Sequence, residues 1–212
     1  MEDMQRLFIA IDLSAAVRRW LGEARSVLEP RVPLRSVRWT DLDGMHVTLK
    51  FLGEIPAGRI EGIRAVMDKA AQGIRPFPLA VEGLGCFPDA ARPRVIWAGV
   101  RSEPRLLDLQ QRLETGLENL GFSRERRAFS PHLTLGRVRE GVTGANLEEL
   151  GRMVESTVLD TGESMEVTGW CLFKSVLRPS GAEHSILHTR VFDSASAGQG
   201  KEPSNHKRGV TG

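Results

Sequence analysis

MHVTLKFLG (45–53) and PHLTLGRV (131–138) are two short apolar stretches that each carry His-x-Thr-Leu from their second residue. Side chains alternate between the two faces of a strand. His46 and Thr48 therefore share one face while Val47 and Leu49 share the other, and His132 with Thr134 stand opposite Leu133 and Leu135 in the same way. Each stretch has one polar face and one face fit for a core. Pro131 lacks an N–H and biases Ser130 toward extended backbone, which suits the first residue of the second strand.

The surroundings of the two strands match as well. The apolar run Leu7–Ile11, ended by Asp12, predicts a strand, after which Ser14 stands as helix N-cap before AAVRRWLGEARSVL (15–28). RVIWAGV (94–100) predicts a second such strand, and Ser102 with Pro104 opens a helix whose leucines 106, 109, 113, 117 and 120 fall at helical spacing before Gly121. Arg94 follows Arg6 by 88 positions and His132 follows His46 by 86, so the two halves share one layout. Two copies make a diverged duplication and are too few for a stacked array. Around this frame the sequence predicts a strand at VRW (37–39) and a helix over 58–71. A capping box at Asn146 and Glu149 predicts a helix to about Glu155, and MEVTGWCLFKSVL (165–177) and HSILHTRVF (184–192) predict two closing strands. From Ser194 the chain reads SASAGQGKEPSNHKRGVTG, which offers nothing to pack and predicts a disordered tail. The expected fold is α+β: two pseudo-twofold-related lobes of antiparallel sheet with outer helices and the active cleft between the sheets. One bilobal domain covers residues 1–193, and the tail is 194–212.

Composition narrows the function classes only a little. With 212 residues, 41% hydrophobic and 26% charged, the chain can bury a core of ordinary size. Its 29 Lys plus Arg against 27 Asp plus Glu leave a net charge of +2, too weak a bias to mark a nucleic-acid binder. Cys86 and Cys171 sit in apolar surroundings without ligand spacing, which favours buried free thiols over a disulfide framework or a zinc site. Glu2 and Asp3 come early, and Asp12 breaks the first apolar run, so the opening stretch reads neither as a signal peptide nor as a membrane span. A cytoplasmic monomer without a membrane partner is the expectation.

A single His-x-Thr in a strand is ordinarily a half-buried histidine beside a residue suited to sheets. Two copies at equivalent places in duplicated halves point to a shared site. If the halves pack about a pseudo-twofold axis, two imidazoles and two hydroxyls converge without any carboxylate or metal. An imidazole with a pKa of about 6.5 can act as general base or general acid near neutral pH. Each threonine hydroxyl can donate to a nonbridging phosphate oxygen. The kit is one for phosphodiester hydrolysis.

The stretches RLFIAIDL (6–13), HVTLKFLGE (46–54), FSPHLTLGRV (129–138) and SVLRPSGAEHSIL (175–187) resemble the RNA 2′,3′-cyclic phosphodiesterases, or 2′-5′ RNA ligases, of the 2H phosphoesterase superfamily, over roughly residues 5–193. The resemblance implies cofactor-free hydrolysis of a terminal 2′,3′-cyclic phosphate to a 2′-phosphomonoester, with 2′-5′ ligation as the reverse reaction. It implies His46 as proton donor to the departing 3′ oxygen, His132 as proton acceptor from water, and Thr48 and Thr134 as phosphate ligands. It also places Phe51 and Arg137, each five positions after its histidine, against the terminal base, a contact that stacking makes physically sound. Strict alternation puts both on the faces opposite their histidines, so that placement needs a bulge or strand end after each motif; alternation alone makes Phe51 core. His184 stands where the family has tyrosine, and reads as a harmless surface substitute in preference to a third titrating group near the site.

The motif pair fits two other readings: a 2H phosphoesterase acting on a small cyclic nucleotide or ADP-ribose cyclic phosphate, and an RNA-end-binding module without turnover. Both histidines being present disfavours the module. Lys50 shares a face with His46 by parity and could meet phosphate, although an exposed strand lysine is the commoner case. Arg124, Arg126 and Arg127 could contact an RNA backbone or form a solvated run. His188 and His206 have no partner in view.

Overall fold

The computed structural model describes residues 3–159, 161–178 and 181–193; the expected tail, with His206, lies outside the described residues. Strand β1 (Met4–Asp12) leads through Ser14 into helix α1 (Ala15–Leu28). The Ser14 hydroxyl accepts from Val17 N at 3.2 Å, the cap the sequence predicts. β2 (Val37–Trp39) and β3 (His46–Pro56) follow, then a 3₁₀ turn (Ala57–Arg59) and α2 (Ile60–Ala70), in place of one helix over 58–71. β4 (Phe77–Phe87), which the sequence reading passes over, precedes β5 (Val95–Val100) and α3 (Pro104–Asn119). Glu103 rather than Ser102 caps α3, accepting from Arg105 N. After β6 (His132–Val138), α4 (Ala145–Ser156) starts from Gly144 with no side-chain cap, so Asn146 lies inside the helix and the expected capping box does not form. The closing segment divides at Thr168 into β7 (Glu163–Val167) and β8 (Gly169–Arg178), and β9 (Gly181–Val191) ends the fold.

All strand pairs are antiparallel, in a four-stranded sheet ordered β3-β1-β8-β9 and a five-stranded sheet ordered β2-β6-β5-β4-β7. Apart from β2, the two orders correspond: β1 and β5 are the central strands, with the His-x-Thr strands β3 and β6 beside them. That is the duplication seen in the sequence. The lobes are nevertheless not contiguous halves of the chain, because β8 and β9 come from the C-terminal end while β2 crosses to the second sheet. Helices interlock the lobes further: α1 packs against β7 of the second sheet, and α3 packs against β3 of the first. One apolar core, with Trp170, Phe77, Ile9, Leu21 and Leu106 fully buried, runs under both sheets. Burial of this kind, at about 25 cal/mol per Å² of apolar area, is the main favourable term in folding. No helix among the described residues is long and apolar enough to cross a membrane.

Candidate active site

The cleft side of the first sheet carries a second, smaller apolar cluster of Phe8, Ala10, Cys171 and Phe173. β1 is thus buried on both faces, Leu7, Ile9 and Ile11 below and Phe8 and Ala10 above, which is why its sequence reads as a continuous apolar run. Asp12 pairs in register with His46 and Ala10 with Thr48. On the second sheet Gly99 pairs with His132 and Trp97 with Thr134. The two histidines and two threonines occupy equivalent places on two sheets whose motif strands, β3 and β6, approach each other.

Each histidine is oriented by its own chain. His46 Nδ1 lies 2.8 Å from the Gly44 carbonyl and His132 Nδ1 lies 2.8 Å from that of Ser130, in both cases two residues back. A carbonyl only accepts, so Nδ1 carries the proton and Nε2 is the atom left for chemistry in each ring. Neither Thr48 nor Thr134 uses its hydroxyl in a hydrogen bond among the described residues. The loop before His46 is clamped by Arg18, whose guanidinium donates to the carbonyls of Leu42 (2.8 Å), Asp43 (3.0 Å) and Met45 (3.1 Å) and reaches Asp12 at 2.5 Å.

After each motif the strand slips by one residue. The register passes from Ala10–Thr48 to Ile9–Lys50 and from Trp97–Thr134 to Ile96–Gly136, leaving Leu49 and Leu135 as the extra residues of two equivalent β-bulges. The slip reverses the parity of the residues that follow it, in β3 as far as a second shift at Leu52. Phe51 therefore returns to the His46 face, 65% exposed, with its ring centroid 6.0 Å from that of Phe8. Arg137 is likewise exposed, in register with Val95, which shares a face with Trp97. Alternation alone, which makes Phe51 core, is overturned. Lys50 is corrected in the opposite sense: it points inward, 8% exposed, bonded to Glu114 at 2.7 and 2.9 Å and to the Ser123 carbonyl at 2.8 Å. Arg124 pairs with Glu118 at 3.0 Å. His188 lies 3.0 Å from Asp68, away from the site.

His184 is not a detached surface group. β9 brings it opposite Ser175, and its ring stands edge-on to His46 at 5.3 Å and to Phe8 at 5.0 Å, with Nδ1 lacking a partner among the described residues. His46 itself stacks on Phe8 at 4.4 Å and on Phe173 at 5.9 Å. Burial, and then the neighbouring His184, push the His46 pKa down to about 4; burial also lowers that of His184. His132 meets the edge of Phe87 at 4.9 Å, and Phe87 packs on Trp97 at 5.2 Å. Trp97 lies flat across Gly85, where a Cβ would stand 2.3 Å from the indole. Sequence reasoning missed Phe8, Phe87, Trp97 and Arg18. The signal available for Phe8 was its parity with Ala10 and Asp12, opposite Leu7, Ile9 and Ile11. Cys86 and Cys171 are both free and buried, with burial raising both thiols.

A bilobal α+β fold with a His-x-Thr strand at the same place in each sheet is the architecture of a two-histidine phosphoesterase. The sequence matches the family described as LigT like Phosphoesterase over residues 11–97 and 99–182, stretches that each hold one motif. It is 31% identical to the RNA 2′,3′-cyclic phosphodiesterase of Archaeoglobus fulgidus over 89% of this chain and 99% of that one. It is 34% identical to the Escherichia coli K12 protein of the same name over 68% of this chain and 78% of that one. Among solved structures it is similar to TT0787 of Thermus thermophilus, with a TM-score of 0.74 and 28% identity over 90% of this chain and 100% of that one. It is also similar to E. coli LigT complexed with 3′-AMP, with a TM-score of 0.68 and 29% identity over 90% and 99%. The chain belongs to the LigT-like phosphoesterase family.

Proposed function

We propose that this protein hydrolyses 2′,3′-cyclic phosphate ends of RNA to 2′-phosphomonoesters through His46 and His132, with residues 1–193 acting as one bilobal unit. The observation that carries the reading is the equivalence of the two imidazoles: each is held through Nδ1 by its own backbone, and each keeps Nε2 for a reacting group. The relatives' shared name supports the substrate. Water attacks phosphorus while His132 Nε2 takes its proton; the P–O3′ bond breaks as His46 Nε2 delivers a proton to O3′. The 2′ ester bond remains, and each histidine ends in the other's starting protonation state, so one proton exchange restores the site. Thr48 and Thr134 donate to the nonbridging oxygens, whose charge grows during transfer. Phe51 and Arg137 hold the terminal base. An RNA 5′ hydroxyl in place of water gives the 2′-5′ ligation. Two buried free thiols fit a reducing compartment such as the cytoplasm.

Because protons move only between imidazoles and substrate, turnover is expected to persist in EDTA. His46→Ala and His132→Ala are each expected to lower kcat by about 10² to 10⁴-fold, the usual contribution of one general acid or base. Loss of activity in the chelator with rescue by a divalent ion, or a wild-type rate in either variant, contradicts the reading. The mononucleotide 3′-AMP in the E. coli neighbour favours a second reading, hydrolysis of a small cyclic nucleotide at the same site.

A further inference from the structure

Arg38 and Arg137 pair directly opposite each other in the β2–β6 register, so both guanidiniums rise from one face. That face is the one carrying His132 and Thr134, since the bulge at Leu135 returns Arg137 to it. The placement is held by Gly136: a Cβ there would lie 2.6 Å from Val37 Cγ1, so β2 docks this closely only against glycine. Arg38 also lines a groove of about 740 Å³ at the free edge of β2, together with Arg35 and Arg139. The groove's one carboxylate, Glu29, is taken by Arg25 at 3.1 Å. Among the described residues, none of Arg35, Arg38, Arg137 and Arg139 is paired with a carboxylate.

Like charges directly opposite across a strand pair are destabilising. A charge on the edge strand β2 blunts pairing with another chain, but Arg137 stands on β6 inside the sheet, so edge protection does not account for two cations placed face to face. A nucleic-acid end crossing the pair does account for them: its terminal base stacks on Arg137, a backbone phosphate neutralises Arg38, and the chain continues along Arg139 and Arg35. We infer that Arg38, continuous with Arg137 and with the groove of Arg35 and Arg139, binds the sugar-phosphate backbone upstream of the reacting end, so that the protein prefers an RNA chain to a cyclic mononucleotide. This rests on the proposed function and deepens it by choosing between its two substrates. A mononucleotide has no upstream phosphate to offer Arg38.

The test uses a five-nucleotide RNA ending in 2′,3′-cyclic phosphate, 2′,3′-cyclic CMP, and fluorescence anisotropy with the same RNA ending in 2′-phosphate, which reads binding apart from turnover. Arg38→Gln is expected to weaken RNA binding and to lower kcat/KM on the RNA by about tenfold, the scale of one hydrogen bond to a charged group. The rate on cyclic CMP should stay at the wild-type value. The slope of log affinity against log salt should fall by about 0.7 for one lost phosphate contact. Arg139→Gln should act in the same direction, and Arg152→Gln on α4, an equal change of net charge, should have no effect. If the wild type turns over both substrates while Arg38→Gln changes neither RNA binding nor the salt slope, or slows cyclic CMP equally, the inference falls and the proposed function stands. If the wild type opens neither cyclic phosphate, both fall.

Discussion

His46 lies between Phe8 and Phe173 with the edge of a second imidazole against it, and those neighbours decide its charge. With its pKa pushed down to about 4, the ring is neutral in the free protein at pH 7. To act as proton donor it must gain a proton on arrival of the anionic phosphate, whose charge raises the pKa. The limb that His46 carries is therefore expected near pH 4 in kcat/KM, which reports the free enzyme, and at higher pH in kcat, which reports the complex. His184→Asn removes the neighbouring imidazole and should move the kcat/KM limb upward; a limb that stays in place would remove His184 from any part in tuning His46. Stability carries the same sign. The unfolded ring takes a proton below about 6.5 and the native ring only near 4, so the native state loses stability as pH falls through that window. The histidine pair was legible in the sequence because it repeats. The aromatic and imidazole neighbours were not, since they come from β1, β8 and β9, and no spacing along the chain reveals which strands lie side by side.

The two bulges are the elements that turn the motifs into a site. A period of two shows which residues share a face only while the register holds, and nothing in LKF or LGR announces an extra residue. Leu49 and Leu135 simply read as the next inward positions. Once each has slipped, Lys50 and Gly136 also point inward, and Phe51 and Arg137 point out. The same slip gives opposite expectations for adjacent residues. Phe51→Leu should leave Tm unchanged and raise KM, since losing a base-stacking partner costs about 1 to 3 kcal/mol. Glu114→Ala should lower Tm sharply, because removing one member of a buried ion pair costs about 3 to 5 kcal/mol by stranding the Lys50 ammonium. Thermal melts and steady-state kinetics on both variants check this, and a fall in Tm for Phe51→Leu with KM unchanged would restore plain alternation. α1 was readable to the residue because its cap and periodicity are local. β4 was missed: its inward residues Phe77, Leu79 and Val81 are separated by Pro78 and Ala80 and followed by Glu82, a short alternation that Gly83 and Gly85 interrupt.

At the scale of the molecule, the lobes are bound by exchanged helices and by the C-terminal strands, so the chain end matters to the whole. Phe192 is buried, stacks on Phe77 at 5.8 Å, and donates from its N to Thr168 O; the Asp193 carboxylate accepts from Gly73 N at 3.0 Å. Truncation after Asp193 is expected to leave Tm and kcat/KM unchanged. Truncation after Arg190 should cost stability on the scale of a large core deletion, about 3 to 5 kcal/mol. Equal loss in both truncations would show that residues 194–212 carry structural weight. The duplicated layout was legible from the offsets of 88 and 86, whereas the passage of β2, β8 and β9 between lobes was not, because which sheet a strand joins depends on contacts between distant parts of the chain. The central claim concerns which bond breaks when two oriented imidazoles meet a cyclic phosphate. It is tested most directly by incubating a short RNA ending in 2′,3′-cyclic phosphate with the protein and locating the phosphate in the product. Proton delivery to O3′ predicts a 2′-phosphomonoester, formed by the wild type and not by His46→Ala or His132→Ala; a 3′-phosphomonoester, or an unopened ring, would contradict it.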